Sequence, residues 1–322
     1  TESVKIRKFQ NPGRYFMSAV LLKAFSFILI IFLGYGLKKL VFRDPACHRI
    51  LAFILLNITL PATVIHAFGH FQRDTSLLLV VLLGFLCALI PMLIVYLISH
   101  RLPTEKRAFS MINVTGFNIG AFSLPFIQNF FGSGGMIVAC LFDIGNAFMV
   151  TGGSFAFTST LLRTSSGERQ TVGILLKKFI CSVPFDTYML MLLVVIFNIP
   201  VPDTIMILLE PLANANSFIA MLLIGMMFEF RTRADKYRTM CSVIGLRLLF
   251  GAICSFLLYF CLPFPQEIRQ VLAVVAFAPV SSIAPIYTVR CQSDGALSSL
   301  TLSISILFAL AIMTGLVLLM KS

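Results

Sequence analysis

The stretch GFNIGAFSLP, Gly116 to Pro125, lies inside one of the long apolar runs of the chain. Runs of that length and polarity cross membranes as helices, yet this one holds two glycines, an asparagine, a serine and a proline. Proline removes a helix hydrogen bond and clashes with the preceding turn. Backbone groups freed inside a bilayer must then be satisfied by protein or by cavity water. The stretch is therefore expected to break a membrane helix. Gly116 and Gly120 let another helix approach closely, and Asn118 and Ser123 offer side-chain hydrogen bonds. Pro125 can restart a helix whose N-terminus, with its partial positive charge, faces the gap.

A second run repeats the pattern. APVSSIAP, Ala278 to Pro285, places Pro279, Ser281, Ser282 and Pro285 inside another apolar stretch. Shifting the first region by 160 residues lays Phe117 on Phe277, Pro125 on Pro285, Ser133 on Ser293 and Gly135 on Gly295, without a gap. Two broken spans at corresponding places point to a transporter built from inverted repeats, with its site where the breaks cross. Positive helix ends and free polar groups aimed at one point suit a small anion. The competing reading is a pair of kinked packing helices, since Gly116 and Gly120 have GxxxG spacing.

The rest of the chain agrees with a membrane protein. Of its 322 residues, 58% are apolar and only 12% are charged. A soluble domain would be roughly 45–50% apolar and about 25% charged. Apolar runs give ten candidate spans, at 20–37, 46–68, 76–98, 105–131, 134–162, 180–198, 204–228, 241–261, 267–291 and 294–319. The expected fold class is an all-α membrane protein of ten transmembrane helices. They divide into two inverted five-helix repeats, with helices 4 and 9 as broken crossovers. The expected organisation is a basic leader over 1–19, a first repeat over 20–162, a polar cytoplasmic linker over 163–179, and a second repeat over 180–322. The leader carries Lys5, Arg7, Lys8 and Arg14, and the run after it is expected to be a retained first span.

The net charge is +12. Of the 25 basic residues, 16 fall in connections on one side of the ten-span arrangement, among them Lys38, Arg107, Arg163 and Arg238. By the positive-inside rule that side is cytoplasmic and both termini lie outside. The charge thus marks topology, with the lipid bilayer as partner, and no nucleic-acid footprint is expected. The eight cysteines have no CxxC or zinc spacing and read as small buried apolar residues. There is no metal or cofactor motif and no enzyme signature such as HExxH, GxSxG or a Walker loop, so no cofactor and no enzymatic activity are expected.

Few ionisable residues enter the apolar runs. Asp143 lies well inside the fifth, with Asn146 three residues on and hence on the same face. An ionisable group at that depth is costly and usually functional. Asp143 can carry a proton, or the pair can hold Na⁺ with carbonyls of a broken helix. The bland alternative is an acid paired with a basic group or backbone in a polar packing seam. Arg247 is expected to snorkel to the cytoplasmic face, with the counter-ion of an anionic substrate as its functional alternative. Lys23 reads as a snorkelling anchor.

These residues resemble the auxin efflux carrier family of secondary transporters. The family's fourth span follows an Asn-x-Gly-x-x-Gly-x-Pro pattern and then Gly-x-x-Gly, to which Asn118, Gly120, Pro125, Gly132 and Gly135 are similar. Ser123 and Phe117 stand where glycine is usual. Leu60–Pro61–Ala62 of the second span, Gly34 and Tyr35 of the first, Gly225 of the seventh and Pro279 of the ninth also resemble the family. Phe218 replaces a proline often found in the seventh. The resemblance implies a scaffold part and a transport part, a substrate site at the crossover of spans 4 and 9, elevator-like movement, an organic anion as substrate and a homodimer.

The expected function is a multi-pass carrier in the plasma membrane, moving a small carboxylate by alternating access, with a proton or Na⁺ as coupling ion. Asn118, Gly120, Ser123, Pro125, Pro279, Ser281, Ser282 and Pro285 are the candidate substrate-binding residues, with Asp143 and Asn146 the candidates for coupling. The rival is a non-transporting membrane sensor or an anion channel of the same fold.

Overall fold

The computed structural model describes residues 12–41, 44–69, 78–164, 182–229 and 237–321. Within them every regular element is a helix and none is a strand. In chain order these are α1 (Pro12–Leu40), α2 (Pro45–Ile54), α3 (Leu60–Phe68), α4 (Leu78–Ile98), α5 (Thr104–Val114), α6 (Leu124–Phe148) and α7 (Ser154–Leu162). Then come α8 (Val183–Ile196), α9 (Asp203–Met227), α10 (Tyr237–Phe260), α11 (Gln266–Val275), α12 (Ala284–Arg290) and α13 (Gly295–Lys321). Wider π-helical turns join α2 to α3 at Leu55–Thr59, lead into α6 at Ile119–Ser123, and join α6 to α7 at Met149–Gly153.

Seven helical stretches among the described residues are long and apolar enough to cross a membrane, and α8 is a shorter apolar helix. Large apolar side chains such as Leu208 and Phe32 stand exposed along them, which is costly in water but natural against lipid. The chain is thus a helical, multi-pass type of membrane protein. The first helix begins at Pro12, so part of the expected leader is helical. The linker beyond Thr164 and several of the basic connections, including Arg169, Lys177 and Arg231, lie outside the described residues.

The helices pack in two groups. In one, α1 lies along α9, and α9 also packs on α2 and α3, with α8 against α3. In the other, α4 lies along α6, α5 packs on α4, α7, α10 and α12, and α11 and α13 complete the layer. The groups meet chiefly through α3, α8 and α9 against α6, and through α1 against α13.

Each group rests on one close helix crossing. A Cβ on Gly34 of α1 would meet the Leu222 carbonyl oxygen, and a Cβ on Gly225 of α9 would meet the Ile31 carbonyl oxygen, both well inside van der Waals contact. In the second group a Cβ on Gly84 of α4 would strike the Phe142 carbonyl, and one on Gly145 of α6 the Val81 carbonyl. Without a hydrophobic force between helices in lipid, close backbone packing of this kind holds them together.

Candidate functional site

Both proline-bearing stretches are breaks. Helix α5 stops at Val114, Thr115 is extended, and Gly116 takes a φ of +73° that L side chains rarely adopt. Helix returns at Ile119 as a π-helical turn that runs on without interruption into α6, and Pro125 sits just past that wider turn. The second break runs from the end of α11 at Val275 to the start of α12 at Ala284, with Pro285 in the first turn. Gly116 and Gly120 therefore straddle a non-helical segment, and the GxxxG reading of a continuous packing helix does not describe this place.

The breaks touch. The backbone N–H of Asn118 donates to the carbonyl of Pro279 at 3.0 Å. Other freed groups are also paired. Asn146 of α6 accepts from the Phe117 N–H and donates to the Phe117 carbonyl, each at 2.9 Å. The Val280 N–H donates to Ser305 Oγ of α13 at 3.1 Å. Behind the first break, the fully buried Asn113, Thr288 and Ser298 bond to one another and tie α5 to α12 and α13. Buried polar groups in a water-poor interior need such partners.

Beside the crossing lies a cavity of about 360 Å³. It sits where the two helix groups meet, and its walls differ. The wall from α2, α3, α8 and α9 is mostly apolar, with Leu55, Leu60, Phe185, Leu223 and Met227, and brings only Ser182 and Tyr188 as polar side chains. The opposite wall carries Asn118, Asp143, Thr151, Ser281 and Ser282, together with the first residues after the break, Ile119 and Gly120. All three π-helical turns contribute lining residues.

Asp143 is the charged group in this wall. Its Oδ1 accepts from Asn146 Nδ2 at 2.9 Å and its Oδ2 from the Tyr188 hydroxyl at 3.1 Å. Among the described residues no basic side chain pairs with it, so an acid balanced by a base is not what is found. The Asn118 carboxamide has no hydrogen-bond partner among the described residues, although only 6% of the residue is exposed.

The candidates separate by position. Asn118, Gly120, Asp143, Ser281 and Ser282 line the cavity. Ser123, Pro125, Pro279, Pro285 and Asn146 do not. Ser123 is fully buried and donates to the Asn118 carbonyl at 3.4 Å. Pro125 follows the π-helical turn, Pro285 lies in the first turn of α12, Pro279 offers its carbonyl to Asn118, and Asn146 holds the Phe117 peptide. These five shape the wall from behind.

One expectation changes. Arg247 neither snorkels nor faces the cavity: its guanidinium turns inward behind the crossing, beside a separate cavity of about 30 Å³. Lys23 reaches across to the carbonyl of Asn129 on α6, at 2.8 Å, where that helix departs from helical geometry at Gly132. Sequence reading also passed over Tyr188, Thr151 and Ser182. A lone tyrosine, threonine or serine in an apolar run carries no spacing signal; only the packing of α8 and the third π-helical turn brings these to the cavity. Among the described residues, no group of three or more His, Cys, Asp and Glu side chains is placed to hold a metal ion.

No family model matches the chain. Over 293 residues it is 22% identical to a protein of Methanothermobacter thermautotrophicus named "uncharacterized transporter", a match spanning 88% of this chain and 93% of that protein.

Proposed function

We propose that this protein is a secondary transporter that carries a small organic anion, a carboxylate, across the plasma membrane. The observation that carries this reading is the cavity with two unlike walls at the meeting of two helix groups. A ligand held by Asn118, Ser281 and Ser282 is bound to one group only. The facing wall is mostly apolar, and its bond from the Tyr188 hydroxyl to Asp143 is a contact that must be released for that group to slide with its cargo. Elevator-like alternating access follows from this asymmetry, with α1, α2, α3, α8 and α9 as the scaffold. The similarity to a protein named as a transporter supports the same conclusion.

The ten-span, two-repeat organisation, with both termini outside, belongs to this reading, as does a place near the auxin efflux carriers. Its supports are the two broken spans, the prolines Pro125 and Pro285 that follow the breaks, and the bond between the breaks. A homodimer is part of the same proposal.

The carboxylate meets the N-terminal end of the helix that restarts at Ile119, whose first N–H groups lack intrahelical partners. Asp143 stands in the same cavity. Two carboxylates in a water-poor space repel, and sharing one proton removes that cost. A carboxylate and a proton therefore enter together, with Asn146 and Tyr188 holding Asp143 in place.

The test is uptake into proteoliposomes of a labelled panel of mono- and dicarboxylates, with an imposed pH or Na⁺ gradient. Saturable uptake of a carboxylate, driven by the pH gradient, is expected. Absence of saturable flux for every carboxylate, or unitary currents at rates beyond a carrier cycle, overturns the proposal.

A further inference from the structure

Arg247 lies near the middle of α10, a helix that belongs to neither broken span. Its guanidinium meets no carboxylate among the described residues. Instead Nη1 donates to the carbonyls of Asn113 at 3.2 Å, Val114 at 2.8 Å and Gly116 at 3.0 Å, and Nη2 to the carbonyl of Ala278 at 2.9 Å. The first three close the C-terminal end of α5, and the fourth lies in the break that follows α11. The guanidinium carbon also stands 5.5 Å from the centre of the Phe117 ring, inside the first break.

The physical chemistry of this arrangement is specific. Helices α5 and α11 both end at the crossing, and each leaves its last carbonyls without intrahelical partners and a partial negative charge. A planar guanidinium presents five donors in a fixed fork and stays charged. One side chain thus satisfies carbonyls from two chain segments and offsets both helix ends. An ammonium could meet these carbonyls only as a point charge. The Phe117 side chain, which separates the guanidinium from the large cavity, lines both spaces.

We propose that Arg247 is a positioning residue that clamps the two broken spans into one rigid unit, so that Asn118 and Ser281 keep a fixed relation across the cavity wall. The inference deepens the transport reading, but its test does not depend on transport.

The test uses the full chain purified in detergent, as wild type, Arg247→Gln and Arg247→Lys, followed by amide hydrogen exchange. Arg247→Gln is expected to speed exchange at least roughly ten-fold in both 113–118 and 276–281, because charged hydrogen bonds to both segments are lost. The α1–α9 crossing is expected to keep wild-type exchange. Arg247→Lys is expected to give a smaller loss in both segments. Faster exchange in only one segment, or in neither, overturns the clamp. If Arg247→Gln unfolds throughout, Arg247→Lys decides by the same criterion. Coupled loss of protection in a protein that carries no carboxylate would leave the clamp standing while the proposed function fell.

Discussion

The N–H of Asn118 and the carbonyl of Pro279, 161 positions apart in the chain, form a 3.0 Å hydrogen bond that joins the two helix breaks. Each breaks a helix for a local reason, a glycine of positive φ, Gly116, in the first and Pro279 in the second. The bond makes those two local defects a single structure. It also leaves the Asn118 side chain without work in the fold, pointing to a role toward a ligand.

Asn118→Ala tests that role, because it keeps the backbone bond and removes only the carboxamide. Thermal stability in detergent is expected to stay near wild type. Carboxylate affinity, from KM of uptake or from ligand-induced stabilisation, is expected to fall about ten-fold, the worth of one hydrogen bond to a charged group. Unchanged affinity would return Asn118 to the role of a backbone link alone.

Asp143→Asn should preserve the fold, since the amide oxygen can still accept from Asn146 while the amide nitrogen donates to the Tyr188 hydroxyl oxygen. Wild-type uptake is expected to rise as the pH on the uptake side falls, the proton being co-substrate. In Asp143→Asn this pH dependence is expected to vanish. Tyr188→Phe removes one of the two donors to Asp143 and should alter the pH profile without abolishing it. Uptake in Asp143→Asn with the wild-type pH profile would exclude Asp143 from coupling.

The crossing of α1 and α9 makes a stability prediction with an internal control. Gly34→Ala is expected to destabilise by about 1–3 kcal/mol through overpacking against the Leu222 carbonyl. Gly36→Ala, two residues along the same helix, should be neutral, because nothing lies within 4 Å of the place its methyl group would take. Thermal or denaturant melts of both variants check this, and equal effects would refute the close crossing.

Gly116→Ala puts a methyl group on a residue with φ +73° and against Val150. The strain is expected to cost about 1–3 kcal/mol. Because the strained residue lies in the break, binding should weaken along with stability, whereas Gly34→Ala should lower stability alone. A Gly116→Ala protein as stable as wild type would mean that the chain re-forms the break without that conformation.

Much of the fold is legible in the chain itself. Apolar runs mark the helices because lipid demands about 20 apolar residues in succession, and that demand is local. Pro285 marks a helix restart because a proline's missing N–H acts within one turn, and Pro125 marks the neighbourhood of the first break, six residues beyond the restart at Ile119. Asp143 stands out because a carboxyl in an apolar run is costly wherever it sits. The π-helical turn at Met149–Gly153 is not legible: the fifth apolar run reads as unbroken, and Gly152 leaves helical geometry without a proline to announce it.

Partnership is a different matter. Arg247 in an apolar run predicts a side chain seeking the membrane surface, since sequence spacing ties it to no acid. The folded chain brings four carbonyls to it instead, from residues 31 to 134 positions away. Ser123 and Ser281 look alike as serines in a break, yet one is sealed behind the wall and the other faces the cavity. Residue type and spacing set where a helix starts, stops or breaks, because those rules act over a turn or two. Which polar groups face the cavity and which hold it up depends on how distant helices pack, and on the requirement that every freed backbone group find a partner out of reach of bulk water.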